Sequence, residues 1–226
     1  MDTNYPACTP RVGYPVEIQA LWIAALRYLG GARWTALADR ATASLARLFA
    51  APGHVGLADC LDAPDGEPAA QATPDWGVRP NQLFAVSLGA FDALAPARRQ
   101  ALERAVVRAT ARLVVPGGVR SLAADDARYR GVYAGDEDTA RKPAYHNGTV
   151  WAWPFPLYAE ALVKTHLASK ATARSLLASA VENLNAGCVC HMSEIADGDA
   201  PHAQKGCRAQ AWSVSELLRV WLALAP

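Results

Sequence analysis

No stretch of this 226-residue sequence approaches the roughly 18 uninterrupted apolar residues that a membrane-spanning helix requires. Its opening, MDTNYPACTP, has neither the basic segment nor the apolar core of a secretory leader. These absences lead to the expectation of a cytoplasmic protein with no membrane partner. Charge of one sign is not in excess either, since 22 Lys and Arg stand against 21 Asp and Glu, a formal net charge of +1. Without a positive field there is no electrostatic ground for nucleic acid as a partner, and a neutral ligand such as a sugar suits the balance better. Cysteine is sparse. Cys8, Cys60, Cys188, Cys190 and Cys207 are odd in number and irregularly spaced, which excludes the framework of a disulfide-stapled secreted domain and makes reduced thiols the expectation. Cys188, Cys190, His191, His202 and Cys207 raise the alternative of a zinc module. Cys-Val-Cys fits poorly with ligand pairs separated by two to four residues, so no metal or other cofactor is called for.

Period-two alternation is almost absent as well, and what fills the sequence is helical spacing. Val16, Ile18, Leu21, Trp22, Ala25, Leu26 and Leu29 form an apolar stripe that starts after Pro15 and stops at Gly30-Gly31. Similar stripes run through Leu37 to Phe49, Asn81 to Leu94, Leu102 to Val114, Trp151 to Leu167, Thr172 to Leu184 and Gln210 to Leu224. The expectation is an all-α protein of about seven helices forming a single domain over residues 1–226. Long polar stretches separate them, chiefly Pro52 to Arg79, Pro116 to Asn147 and Gly187 to Gly206. Loops of that length inside a compact domain are usually functional or disordered. These hold most of the unusual polar and aromatic residues, including Tyr129, Tyr133, Asp197, Asp199 and His202, so function is expected in loops on a helical scaffold.

Phenylalanine is scarce, with four residues against seven tryptophans and seven tyrosines. That skew favours aromatics with a polar edge, which stack on the apolar face of a pyranose while hydrogen bonding to it. Trp22, Trp34 and Trp221 are expected to pack between helices. Trp76, Trp151, Trp153 and Trp212 flank polar loops and are the better candidates for sugar contacts. Glycoside hydrolysis also needs two carboxyl groups, one to protonate the leaving oxygen and one to activate water or attack. Carboxylates in aromatic or glycine-rich surroundings are few: Asp2, Glu17, Asp125-Asp126, and the group Glu194, Asp197 and Asp199 in HMSEIADGDAPH. Each taken alone is better explained by a solvated loop or a helix cap.

Five segments in order, MDTNYPACTPRVGYPVEIQALWIAAL, RPNQLFAVSL, VPGGVRSLAADDARYRGVY, AYHNGTVWAWPFPLYAEAL and CHMSEIADGDAPHAQKGCRAQAWSVSELLR, resemble successive motifs of the amylo-α-1,6-glucosidase portion of glycogen debranching enzymes. The resemblance implies part of an (α/α)6 six-hairpin toroid with its active site in the loops at one mouth. It also implies removal of α-1,6-linked glucose from glycogen-type limit dextrin by inversion, in glycogen catabolism, with a branched α-glucan as partner. By motif position Asp2 corresponds to the general acid and Glu194 to the general base, with Asp197 as the rival for the latter role. Glu17, Arg79, Asn81, Gln82, Arg120, Tyr145, His146, Asn147, Trp151, Gln210 and Trp212 correspond to positions that bind or stack on the glucose; His146 and Asn147 read equally well as ties for the loop before Trp151. A full toroid needs on the order of twice seven helices. The expectation is therefore the C-terminal portion of such a barrel with low or no activity of its own. The alternative is an inactive helical fragment or a carbohydrate-binding remnant.

Overall fold

The computed structural model of the protein describes residues 7–225. These divide into two compact units, one of residues 11–110 and one in which residues 7–10 join residues 111–225. In the first unit, strand β1 (Gly13–Pro15) runs into helix α1 (Val16–Leu29), followed by α2 (Gly31–Leu48), β2 (Cys60–Asp62) and β3 (Thr73–Asp75). A 3-10 turn (Pro80–Gln82) leads to α3 (Leu83–Ser87), and α4 (Pro96–Ala111) closes the unit. The left-handed backbone at Gly30 and Gly31, φ 65° and 77°, turns α1 into α2. Ile23 and Leu26 of α1 are buried, as are Leu45 of α2 and Leu83 of α3, and α1 packs on both of those helices. The three strands form one antiparallel sheet in the order β1-β2-β3.

The second unit holds β4 (Val114–Val115), β5 (Gly118–Arg120), a wide π-type turn (Glu137–Arg141), α5 (Lys142–Tyr145) and β6 (Val150–Trp151). These are followed by α6 (Pro154–Lys164), α7 (Lys170–Val181), β7 (Ile195–Ala196), β8 (Gln204–Lys205) and α8 (Ala211–Ala223). Helix α6 packs against α7 and α8, with Phe155, Leu177 and Val220 in the core. The five strands pair antiparallel in sequence order.

The expectation of an all-α toroid segment with about seven helices is corrected. Helices dominate, eight of them among the described residues, but two antiparallel sheets make this a mixed α and β structure. The strands are two or three residues long, too short for alternation to register. Most rise from the stretches taken as loops, where pairing satisfies backbone groups that would otherwise need water. The helical pattern over Asn81 to Leu94 is also shortened: after α3 the chain turns at Leu88 to Leu94 instead of continuing. Trp22 is 49% exposed and so does not pack between helices. Trp34 and Trp221 are half-buried, each under a guanidinium, Arg33 at 4.7 Å and Arg174 at 4.3 Å from the ring centre. Among the described residues no helix is long and apolar enough to cross a membrane.

Candidate active site

In the unit of residues 111–225, three loop segments converge on Glu194. The first ends α5, where the Tyr145 hydroxyl donates to Glu194 Oε1 at 2.5 Å. The second is the β7–β8 hairpin and its continuation: the Glu194 amide donates to the Cys207 carbonyl at 2.8 Å, and the Cys207 amide donates to Glu194 Oε2 at 3.1 Å. The third is the turn around Tyr133, whose ring lies 5.7 Å from that of Tyr145. Tyr133, Tyr145, His146 and Glu194 line a cleft of about 340 Å³ together with Glu137, Arg141 and Lys142. That volume is within the roughly 300–1,000 Å³ range of small-ligand sites. Burial, reinforced by the hydrogen bond to Glu194, raises the Tyr145 phenol above its ordinary range, so at neutral pH it remains a donor.

Aromatic rings continue from the cleft. His146 stacks nearly parallel to Trp151 at 5.5 Å, Tyr145 meets Trp151 edge-on at 5.1 Å, and Trp212 lies 5.9 Å from Trp151 and 5.2 Å from Trp153. Trp151 is buried and Trp212 is 46% exposed. The Trp151 indole N–H donates to the Thr149 hydroxyl at 3.0 Å, and that hydroxyl donates to the Tyr145 carbonyl at 2.6 Å. Gln210 immediately precedes α8 without a side-chain capping bond, and its backbone N–H donates to the Met192 carbonyl at 3.0 Å.

The other carboxylates of this region have structural partners. Buried Asp197 accepts from the Tyr133 amide at 2.8 Å and lies 3.9 Å from the Lys205 ammonium. Asp199 accepts from the Tyr129 hydroxyl at 3.0 Å. Arg120 donates to the Gly198 carbonyl at 2.9 Å, fixing the same loop. Asn147 is buried and donates to Thr9 Oγ1 at 3.1 Å and the Pro143 carbonyl at 2.9 Å, a tie for its loop. Asp125 pairs with Arg112 and Asp126 with Arg128 on exposed loops.

Glu17, Arg79, Asn81 and Gln82 come together within the unit of residues 11–110. Their centre is Asp59, which faces Arg11 at 2.7 Å and Arg79 at 3.6 Å and accepts from Asn81 at 3.1 Å. Glu17 pairs with Arg11, with one contact at 2.7 Å. Gln82 accepts from the Leu57 amide at 3.0 Å and donates to the Arg79 carbonyl at 3.1 Å. Arg79 is only 2% exposed. Burial pushes the Asp59 carboxyl upward, while the two guanidiniums pull it down. Arg11 and Asp59 escaped the sequence reading, although one signal was present: Asp59 is a lone carboxylate between Leu57-Ala58 and Cys60-Leu61. Thr149 and Gly206 left no comparable mark. Asp2 lies outside the described residues. Among those described, no group of three or more His, Cys, Asp or Glu comes together as a metal site.

Comparison with known families places residues 1–219 in a match to the family described as amylo-alpha-1,6-glucosidase. No match was found among curated proteins. The matched span runs from the first residues through the Glu194 cleft to α8, and on that ground the chain belongs to the amylo-alpha-1,6-glucosidase family.

Proposed function

We propose that this chain carries the chemistry of an inverting glucosidase acting on α-1,6-linked glucose of a branched, glycogen-type α-glucan. Glu194 is the general base and Asp2 the general acid. The observation that carries the reading is Glu194 itself, a half-buried carboxylate in an aromatic cleft within the family's matched span. Among the described residues each of its oxygens accepts one hydrogen bond, and a carboxylate oxygen has a second lone pair for a water molecule. Asp197 is the weaker choice because it is buried and does not line the cleft.

In this reaction Glu194 takes a proton from water, and the water oxygen forms a bond to the anomeric carbon from the face opposite the leaving group. The glycosidic C–O bond breaks as the acid protonates the departing oxygen. Inverting pairs stand roughly 6.5–9.5 Å apart to leave room for that water. Asp2 precedes Thr9 by seven residues, and Thr9 is hydrogen-bonded to Asn147, next to His146 of the cleft. Seven residues of extended chain span at most about 25 Å, so the sequence position of Asp2 is compatible with the role. Trp212, 46% exposed, is proposed as a stacking surface for the sugar.

The decisive experiment is incubation of the chain with a glycogen limit dextrin while released glucose is followed by proton NMR. The β-anomer is expected first. The α-anomer first would mean retention and overturn the mechanism, and glucan binding without any glucose would favour a carbohydrate-binding remnant.

A further inference from the structure

We propose that Tyr145 and the Gly206–Cys207 turn form a positioning clamp on the Glu194 carboxylate, so that Tyr145 serves the base and not the sugar. The inference rests on the reading of Glu194 as that base. Its geometry is a two-point restraint, with the phenol O–H on Oε1 at 2.5 Å and the Cys207 amide on Oε2 at 3.1 Å. The first distance is that of a charge-assisted O–H···O⁻ bond. One donor on each oxygen fixes the plane of the carboxyl group as well as its position.

The clamp is itself braced on both sides. The Tyr145 ring is held edge-on by His146 at 4.7 Å and Trp151 at 5.1 Å, and its carbonyl accepts from Thr149. On the other side Gly206 is left-handed at φ 68°, and a β-carbon there would stand 2.5 Å from Glu194 Oε2. Only a residue without a side chain lets the turn close onto the carboxylate. A base displaced by about 1 Å loses on the order of 10²-fold in rate, which is the scale of effect such a clamp controls.

Two measurements on the 226-residue chain test it. With tyrosine labelled at 13Cζ, Tyr145→Phe identifies the Tyr145 resonance by deleting it. That resonance is expected to move upfield at neutral pH in Glu194→Gln, because the phenol loses its charged acceptor; an unmoved resonance overturns the contact. On limit dextrin, Tyr145→Phe is expected to lower kcat roughly 10²-fold with little change in KM, and to add nothing in the Glu194→Gln background. A raised KM with kcat intact, or losses that add in the double variant, would overturn the clamp in favour of sugar binding or packing. Where turnover is too slow to follow, the same cycle is run on the Kd of 1-deoxynojirimycin, whose ammonium seeks a carboxylate, and non-additivity is again the expected result. Glu194→Gln with normal turnover or affinity, or a parent chain without either, overturns the base assignment instead. The NMR shift would persist in that case, which separates the two failures.

Discussion

At Gly206 a single hydrogen separates a closed turn from a blocked one. Gly206→Ala must shift either the hairpin or the Glu194 carboxylate, since the added carbon would also stand 3.2 Å from Glu194 Cβ. The expected result is a fall in kcat beside the stability loss of about 1–2 kcal/mol that a left-handed alanine explains; a stability loss with kcat unchanged would mean strain only. At Glu194 itself, Glu194→Gln is expected to lose roughly 10²- to 10⁴-fold in turnover. Asp197→Asn, which keeps an oxygen for the Tyr133 amide, is expected to lose much less. The reverse order would move the base to Asp197. Asp59→Ala removes the carboxylate that the buried guanidiniums of Arg11 and Arg79 both face, and urea unfolding is expected to show a loss of about 3–5 kcal/mol. Burial, together with Asp62, pushes the Cys60 thiol up to about 12. Ellman's reagent is therefore expected to modify exposed Cys188, Cys190 and Cys207 in the native protein and Cys60 only after unfolding. Of these residues, Glu194 was legible from its motif. Asp59 and Gly206 were not, because what distinguishes them is what they face across the fold.

Among the elements, helices announce themselves and these strands do not. Helix α1 shows its apolar stripe over four turns, and the stop at Gly30-Gly31 is where the left-handed residues fall. A two-residue strand such as β7 has no period to display. Its existence depends on partners 45 residues earlier in β6 and 9 residues later in β8. The segment after α3 shows the opposite failure, helical spacing over a stretch that the chain breaks into turns. The turn Glu137–Arg141 at the cleft rim is begun by Asp136, whose carboxylate accepts from the amides of Asp138 and Thr139 at 3.0 Å each. The Thr139 amide and hydroxyl hold that carboxyl below its ordinary value. A carboxyl depressed in the folded state contributes stability above its unfolded pKa and loses it as pH falls through the folded one. Hydrogen exchange of the Asp138 and Thr139 amides is therefore expected to accelerate relative to the intrinsic rate as pH drops below about 4. Asp136→Ala is expected to show the faster exchange at every pH, and unchanged exchange in that variant would remove the cap.

For the molecule as a whole, the family was legible because its motifs follow one another along the chain and need no knowledge of packing. Which neighbours those residues take was not, for Glu17, Arg79 and Asn81 gather with Arg11 around Asp59 in residues 11–110, and Tyr145 bonds to Glu194 in residues 111–225. Residues 7–10 belong with residues 111–225, and Thr9 bonds to Asn147 across 138 positions of sequence. On a ribosome this sets a schedule. Residues 11–110 can complete their own contacts while the remainder is still being made, whereas Thr9 must wait for Asn147 to emerge. At about 5–20 residues per second, that interval is on the order of 7 to 28 seconds. Nascent chains stalled at successive lengths are expected to protect residues 11–110 from proteolysis first and the Thr9 segment only after Asn147 clears the exit tunnel. A segment among the first translated would then reach its place long after its neighbours in sequence.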